Sequence, residues 1–111
     1  MKAVTPQNMR AVYDFLKNVS FSGLRLPRGK AMEFRAKRLR LYHGYYVCED
    51  RVITIDTSIK TMDKLMQVMA HEMIHVALEQ NAASDHSEHD EHFNSLARII
   101  EQEMGWPKGC I

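Results

Sequence analysis

The stretch from Ala70 to Val76 reads Ala-His-Glu-Met-Ile-His-Val and combines two imidazoles with a carboxylate. Residues four apart lie on one face of an α-helix, so His71 and His75 can direct two nitrogens at one metal ion. Glu72 lies beside that pair, where its carboxylate can accept a proton from water without binding the metal. The pattern H-E-x-x-H predicts a zinc site with Glu72 as general base, provided that the stretch is helical and a third ligand follows.

Three histidines beyond this stretch are candidates for the third ligand. Zinc sites that catalyse hydrolysis usually have three protein ligands and one open position. Asn81 stands where the metzincin pattern needs its third histidine, so the sequence does not fit that class. The residues alone leave three alternatives open for the third ligand: His86, His89 and His92.

The histidines fall within or beside predicted helices. From Met62 to about Gln80 the sequence has no glycine or proline and presents a broad apolar surface, which predicts a largely buried helix. Asp90 is a good N-cap for a last helix that Gly105 ends. Apolar residues at helical spacing predict a further helix at residues 6–18. The H-E-x-x-H stretch therefore lies in mid-helix.

The middle of the chain is typical of β-strands. The runs Glu33–Arg35 and Arg38–Tyr42 alternate charged and apolar residues, as half-buried strands do. The runs Tyr45–Cys48 and Val52–Ile55 flank a short polar connection, which predicts a hairpin. We expect a three-stranded antiparallel sheet. Its edge strand beside the metal-bearing helix, Val52–Ile55, would hold an extended substrate by β-addition.

These elements predict an α+β fold in a single domain spanning residues 1–111, since the chain is long enough for one modest core. The N-terminal residues contain no apolar targeting segment, and no apolar run is long enough to cross a membrane. We therefore expect a cytoplasmic protein without a membrane partner. Cys48 and Cys110 share no C-x-x-C spacing and are predicted to be reduced thiols without a ligand role. The sequence leaves the oligomeric state open.

The charge is unevenly distributed along the chain. Residues 1–60 carry 12 Lys/Arg against 5 Asp/Glu, a net charge of +7, whereas residues 61–111 carry 3 against 9, a net charge of −6. A basic half suggests an anionic partner, and an acidic half rich in histidine suggests a cation. Basic side chains on the predicted outer strand face are candidate DNA-phosphate contacts, although such residues are as often only solvated. They are Arg35, Lys37, Arg38 and Arg40.

Two segments resemble the SprT-like, or Spartan-type, metalloprotease domain. The run Leu65–Leu78 contains the H-E-x-x-H helix, and the run His89–Phe93 is similar to the H-G-x-x-F segment that carries the family's third histidine. The match assigns His89 as the third ligand. This chain has Asp90 and Glu91 in place of the family's usual glycine and its small neighbour. The resemblance covers about residues 35–106 and implies a minimal zincin-like fold.

The resemblance also implies an activity. It identifies the chain as a zinc-dependent endopeptidase in which His71, His75 and His89 hold Zn²⁺ and Glu72 activates water. The substrate would be a protein or peptide, and the family's association with proteins attached to DNA would give the basic strand face a role. Two alternatives remain: a DNA-associated zinc-binding module without proteolytic activity, and a metal-dependent hydrolase of a non-peptide bond.

Overall fold

The computed structural model describes residues 2–80 and 89–111. The first two helices pack against each other and against a three-stranded sheet, and the last helix packs on the second. The predicted α+β class is confirmed, and so are the three helices. In the described residues, no helix combines the length and apolar character needed to cross a membrane. The elements are α1 (Pro6–Asn18), a 3₁₀ turn (Gly29–Ala31), β1 (Glu33–Lys37), β2 (Gly44–Val47), β3 (Val52–Asp56), α2 (Met62–Gln80) and α3 (Glu91–Met104).

The two helices that carry or follow the histidines begin at capping side chains. Thr61 Oγ1 accepts the N–H of Lys64 at 3.2 Å, and Asp90 Oδ1 accepts the N–H of Phe93 at 3.2 Å. Each cap satisfies an N–H group that has no partner within its helix. Helix α3 ends at Gly105, whose left-handed φ of 71° is favourable for a residue without a Cβ. Local sequence thus determines where both helices begin.

The sheet has the order β1-β3-β2 and is mixed. Strand β3 pairs with β2 in the predicted antiparallel hairpin, with Val52 opposite Val47, and pairs with β1 in parallel, with Ile53 opposite Phe34. The prediction of a purely antiparallel sheet is wrong, because β3 lies between β1 and β2 instead of at one side. All five residues of β3, the central strand of the sheet, are buried.

The predicted strand at Arg38–Tyr42 is also wrong. Strand β1 ends at Lys37, and the chain continues in irregular structure to β2. The N–H of Leu39 donates to Asp56 Oδ1 at 3.1 Å instead of to a neighbouring strand. Leu41 is 85% exposed. The alternation of charged and apolar residues therefore does not mark a half-buried strand here.

Strand β2, and not Val52–Ile55, is the sheet edge beside α2. The carbonyl of His43 accepts the N–H of Asp56 at 2.8 Å. Antiparallel pairs alternate between bonded and non-bonded positions, so the backbone groups of Gly44 and Tyr46 point away from β3, toward the outer edge of the sheet. The expectation that Val52–Ile55 binds substrate at an edge is wrong, because those residues form the central strand.

The core lies between the sheet and helices α1 and α2. Strand β3 contributes Ile53 and Ile55, which are fully buried, and burying a large apolar side chain contributes about 1.5–3 kcal/mol. Helix α2 contacts α1, two strands and α3, so its position is fixed on several sides. The largest core side chains from the helices are those of Met9, Tyr13, Leu16, Leu65, Met69, Met73, Ile74 and Ile100.

Gly44 allows β2 to lie close to its neighbours. A Cβ at this position would lie 2.8 Å from the carbonyl oxygen of Thr54 and 3.3 Å from Cγ1 of Val68. We expect Gly44→Ala to lower the free energy of unfolding by about 1–3 kcal/mol, because backbone and core atoms would have to move. Urea denaturation measures the change. In the control Gly23→Ala, a Cβ meets no atom within 4 Å, and stability should stay within about 1 kcal/mol of wild type. Equal losses in both variants would contradict the packing argument.

Candidate metal centre

Three imidazoles converge at one point in the structure. His71 and His75 lie one turn apart on α2, with ring centroids 5.3 Å apart. His89 comes directly before the cap of α3, and its ring centroid lies 4.8 Å from that of His71 and 5.0 Å from that of His75. One nitrogen from each ring lies within 4.8 Å of the other two. The face of α2 and the position of His89 before α3 thus bring together the three predicted ligands.

This donor set fits a zinc ion. Nitrogens bound to tetrahedral zinc at about 2.0–2.1 Å lie about 3.3 Å apart, and the Nε2 atoms of His75 and His89 are 3.1 Å apart. Three imidazoles suit a transition metal better than calcium or magnesium, which prefer oxygen ligands. Burial, followed by the neighbouring charges of His75 and His89, lowers the pKa of His71 to about 4. Its imidazole is therefore in the neutral, metal-binding form at neutral pH.

His89, and not His92, joins the cluster. The His92 side chain is 58% exposed, and its Nδ1 lies 3.5 Å from Oδ2 of Asp90. The carbonyl of His89 accepts a hydrogen bond from Asn94 Nδ2 at 3.4 Å, which links the backbone of His89 to the first turn of α3. The remaining alternative, His86, lies outside the described residues.

Phe93 packs against all three imidazoles. Its ring centroid lies 4.9 Å from that of His71, 4.9 Å from that of His75 and 4.5 Å from that of His89. The residue is only 2% exposed. Aromatic contacts of this kind contribute about 0.5–1.5 kcal/mol beyond burial. The sequence places Phe93 in the motif that resembles H-G-x-x-F, but its contact with the three imidazoles was not predicted. The spacing of four residues between His89 and Phe93, about one helical turn, could have indicated this contact.

Glu72 lies next to the cluster and is almost completely buried. Its side chain extends from α2 beside His71, and the residue is 4% exposed. Burial raises the pKa of Glu72 to about 8. A carboxyl group with a pKa near neutral pH is suited to accept and return a proton. A cation held by the neighbouring histidines would lower that pKa, since an opposite charge favours the ionised form.

Two cavities meet at His71 and Glu72. A groove of about 610 Å³ runs along β2 and reaches His75 and His89. A second cavity of about 280 Å³ is lined by His71 and Glu72 but not by the other two histidines, and it extends to Cys110. A molecule bound across Glu72 can therefore occupy a different cavity on each side.

A hydrogen bond joins strand β2 to helix α2. The Tyr46 hydroxyl donates to Glu79 Oε2 at 2.5 Å. Burial, and then this hydrogen bond, raises the pKa of Tyr46 well above its usual range. Sequence reasoning missed both residues. Glu79 follows His75 by four residues and so shares its helix face, a signal that could have identified it, whereas nothing local indicates Tyr46 as its partner.

None of the four predicted DNA-contacting residues lines either cavity at the cluster. Arg35 and Lys37 are exposed on β1, and Arg35 forms an ion pair with Glu33. Arg38 and Arg40 are exposed in the irregular segment after β1, and not on a strand as predicted. Two of the four basic residues therefore lie on a strand, and the other two lie in irregular structure.

Comparison with known proteins places the chain in a family. The model of the SprT-like family matches residues 9–110. The chain belongs to the SprT-like family. A similar solved structure is the crystal structure of the metallopeptidase zymogen of Pyrococcus abyssi abylysin, with 16% identity, a TM-score of 0.57, and coverage of 85% of this chain and 77% of that chain. This similarity shows a shared fold. No curated protein matches the sequence.

In this SprT-like protein we expect His89→Ala to weaken zinc binding by more than about 100-fold, because loss of even an indirect partner of a ligand costs about 10–100-fold. Competition titration with a chelating dye measures the affinity. The matched control is His92→Ala, which should bind zinc like the wild type because its side chain faces Asp90 and solvent. The reverse result would assign the third ligand to His92.

Proposed function

We propose that this SprT-like protein is a zinc-dependent endopeptidase. The observation that carries the proposal is the cluster of His71, His75 and His89 beside the buried carboxyl of Glu72, at the junction of two cavities. Family membership supports it, and so does a fold shared with a protein described as a metallopeptidase zymogen.

In the proposed mechanism, His71, His75 and His89 would hold the ion through their imidazole nitrogens. Zinc, when bound, supplies a Lewis acid that polarises a carbonyl group and lowers the pKa of water. Glu72 accepts the proton of the attacking water on its carboxylate and then gives it to the leaving amine. Because Glu72 is almost completely buried, this proton is held apart from bulk solvent between the two transfers.

The outer edge of β2, which has no partner strand among the described residues, supports a peptide as the substrate. The backbone groups of Gly44 and Tyr46 that have no partner on β3 face this edge, and β2 lines the groove that reaches His75 and His89. An extended peptide can pair with such an edge through main-chain hydrogen bonds. This mode of binding depends on the peptide backbone and favours peptides over a non-peptide substrate.

The open ligand set favours catalysis over a structural zinc site. Structural zinc usually has four protein ligands, whereas the cluster found among the described residues has three. A structural site also has no use for a buried carboxylate that accompanies the ligands without being one of them. Both features favour an enzyme over a non-proteolytic zinc-binding module.

We expect Glu72→Gln to reduce peptide hydrolysis by at least about 100-fold, because the amide cannot accept the proton of water. Zinc content should remain that of the wild type, since Glu72 is not a ligand in this proposal. Hydrolysis of an unfolded protein substrate and metal analysis of the same samples provide the two readouts. The control Glu103→Gln removes an exposed carboxylate from α3 and should retain activity. Full activity of Glu72→Gln would rule out the mechanism.

DNA-associated protein is a candidate substrate class. Arg38 and Arg40 are exposed in the segment that continues into Leu41 and Tyr42, which line the smaller cavity at Glu72. Phosphate contacts in this segment would therefore hold DNA close to the proposed catalytic site. This proximity is the structural observation that favours DNA as a partner.

We expect the wild type to shift the electrophoretic mobility of DNA in a salt-sensitive manner. Charge reversal at Arg38 and Arg40 should weaken that binding by at least about tenfold. Charge reversal at the exposed Arg28, which precedes the 3₁₀ turn, provides the control. A wild-type protein that binds no DNA even at low salt would remove this candidate.

A further inference from the structure

The C-terminal segment 106–111 is held against α3 by one buried carboxylate. Glu101 is 2% exposed; its Oε1 accepts the N–H of Gly109 at 3.0 Å, and its Oε2 accepts the N–H of Ile111 at 2.9 Å. Arg98 Nε lies 2.7 Å from Oε1 as an ion pair outside hydrogen-bond geometry, and its Nη2 donates to Oε2 at 3.3 Å. Glu101 therefore fixes two backbone positions of the segment with its two oxygens.

These contacts keep the carboxylate charged. Burial alone would raise the pKa of Glu101, but the N–H groups of Ile111 and Gly109 and the charge of Arg98 outweigh burial and lower it. A buried carboxylate is costly unless several partners stabilise it. The backbone also turns tightly here, because the N–H of Cys110 donates to the carbonyl of Pro107 at 3.2 Å. These contacts hold the backbone of segment 106–111 in one conformation.

The fastened segment forms one wall of the smaller cavity. Cys110 and Ile111 line this cavity of about 280 Å³ together with His71 and Glu72. The volume corresponds to about nine water molecules at about 30 Å³ each. It lies just below the range of about 300–1,000 Å³ that is typical of pockets for whole drug-sized ligands. The cavity therefore suits one large side chain and not a longer piece of peptide.

The chemistry of the lining favours an uncharged occupant. Leu41, Val68 and Ile111 provide apolar walls. Burial, followed by the charge of Glu101, raises the pKa of the Cys110 thiol, which keeps it uncharged. Lys64 also lines the cavity and would repel a lysine or arginine side chain, and the carboxylate of Glu72 would repel an acidic one. A large aliphatic or aromatic side chain matches this lining.

We propose that this cavity is a substrate subsite, and that Cys110 and Ile111 select a large apolar side chain next to the bond that is cut. Glu101 acts as a positioning residue that holds this wall in place. The inference rests on the proposed endopeptidase function. It follows from the two cavities that meet at Glu72: the groove along β2 takes one side of the substrate, and the smaller cavity takes the side chain across the cut bond.

Cleavage-site mapping by mass spectrometry tests the proposal, with the zinc-loaded full chain and a library of unfolded peptides. The wild type should prefer Leu, Met or Phe at one position flanking the cut bond. Cys110→Phe, which adds volume to the wall, should lower the kcat/KM ratio of a Leu peptide to its Ala counterpart by at least tenfold. The control Lys108→Phe adds the same ring at an exposed position of segment 106–111 that lines neither cavity at Glu72, and it should retain the wild-type ratio.

Glu101→Gln separates positioning from folding. Because the substitution weakens the contacts that hold segment 106–111, we expect KM for the Leu peptide to rise at least fivefold. The kcat and the zinc content should remain those of the wild type. KM for the Ala peptide should stay unchanged, because a small side chain does not contact the wall. A merely structural defect would instead lower kcat for both peptides together. If Glu101→Gln does not fold, Ile111→Ala serves as the second variant and should weaken the Leu preference.

The possible outcomes distinguish a failure of the subsite proposal from a failure of the proposed endopeptidase function. A wild type that cuts peptides without preference beside the bond, or a Cys110→Phe variant with an unchanged preference, would overturn the subsite while the endopeptidase function stands. If the zinc-loaded wild type cuts peptides no faster than the Glu72→Gln variant, the endopeptidase function and the subsite would both be overturned.

Discussion

The burial of α2 is the constraint on which the rest of the structure depends. One side of the helix packs Leu65, Met69 and Met73 into the core, and this packing fixes the rotation of the helix about its axis. The same rotation directs His71 and His75 toward α3 and keeps Glu72 out of solvent. A ligand pair on a loosely packed helix would have no fixed position relative to His89. The hydrophobic core therefore positions the proposed chemistry directly.

Most of what the sequence predicted correctly rests on short-range signals. Helical spacing, the cap Asp90, and the i, i+4 histidines act within a turn or two, so they can be found without knowledge of the fold. The choice of His89 needed a family resemblance, because no periodic signal in the sequence distinguishes His89 from His86 and His92. Its place in the cluster is consistent with that resemblance.

The incorrect predictions concern contacts between distant segments. Whether β1 pairs with β3 in parallel depends on the path of the chain between Lys37 and β2. The alternation of charged and apolar residues in Arg38–Tyr42 does not distinguish the irregular structure found there from a strand. The approach of Cys110 to His71 and Glu72 depends on Glu101 turning the final segment back. Such contacts join residues far apart in sequence, and a reading of local patterns contains no information about them.

We propose that His71, His75 and His89 together hold one zinc ion and leave one position open. Zinc X-ray absorption spectroscopy on the loaded full chain, with the metal content of the same sample, tests this ligand set directly. We expect one zinc per chain, three imidazole nitrogens at about 2.0–2.1 Å and no sulfur neighbour. A sulfur neighbour at about 2.3 Å, or a site with fewer than three imidazoles, would rule out this ligand set.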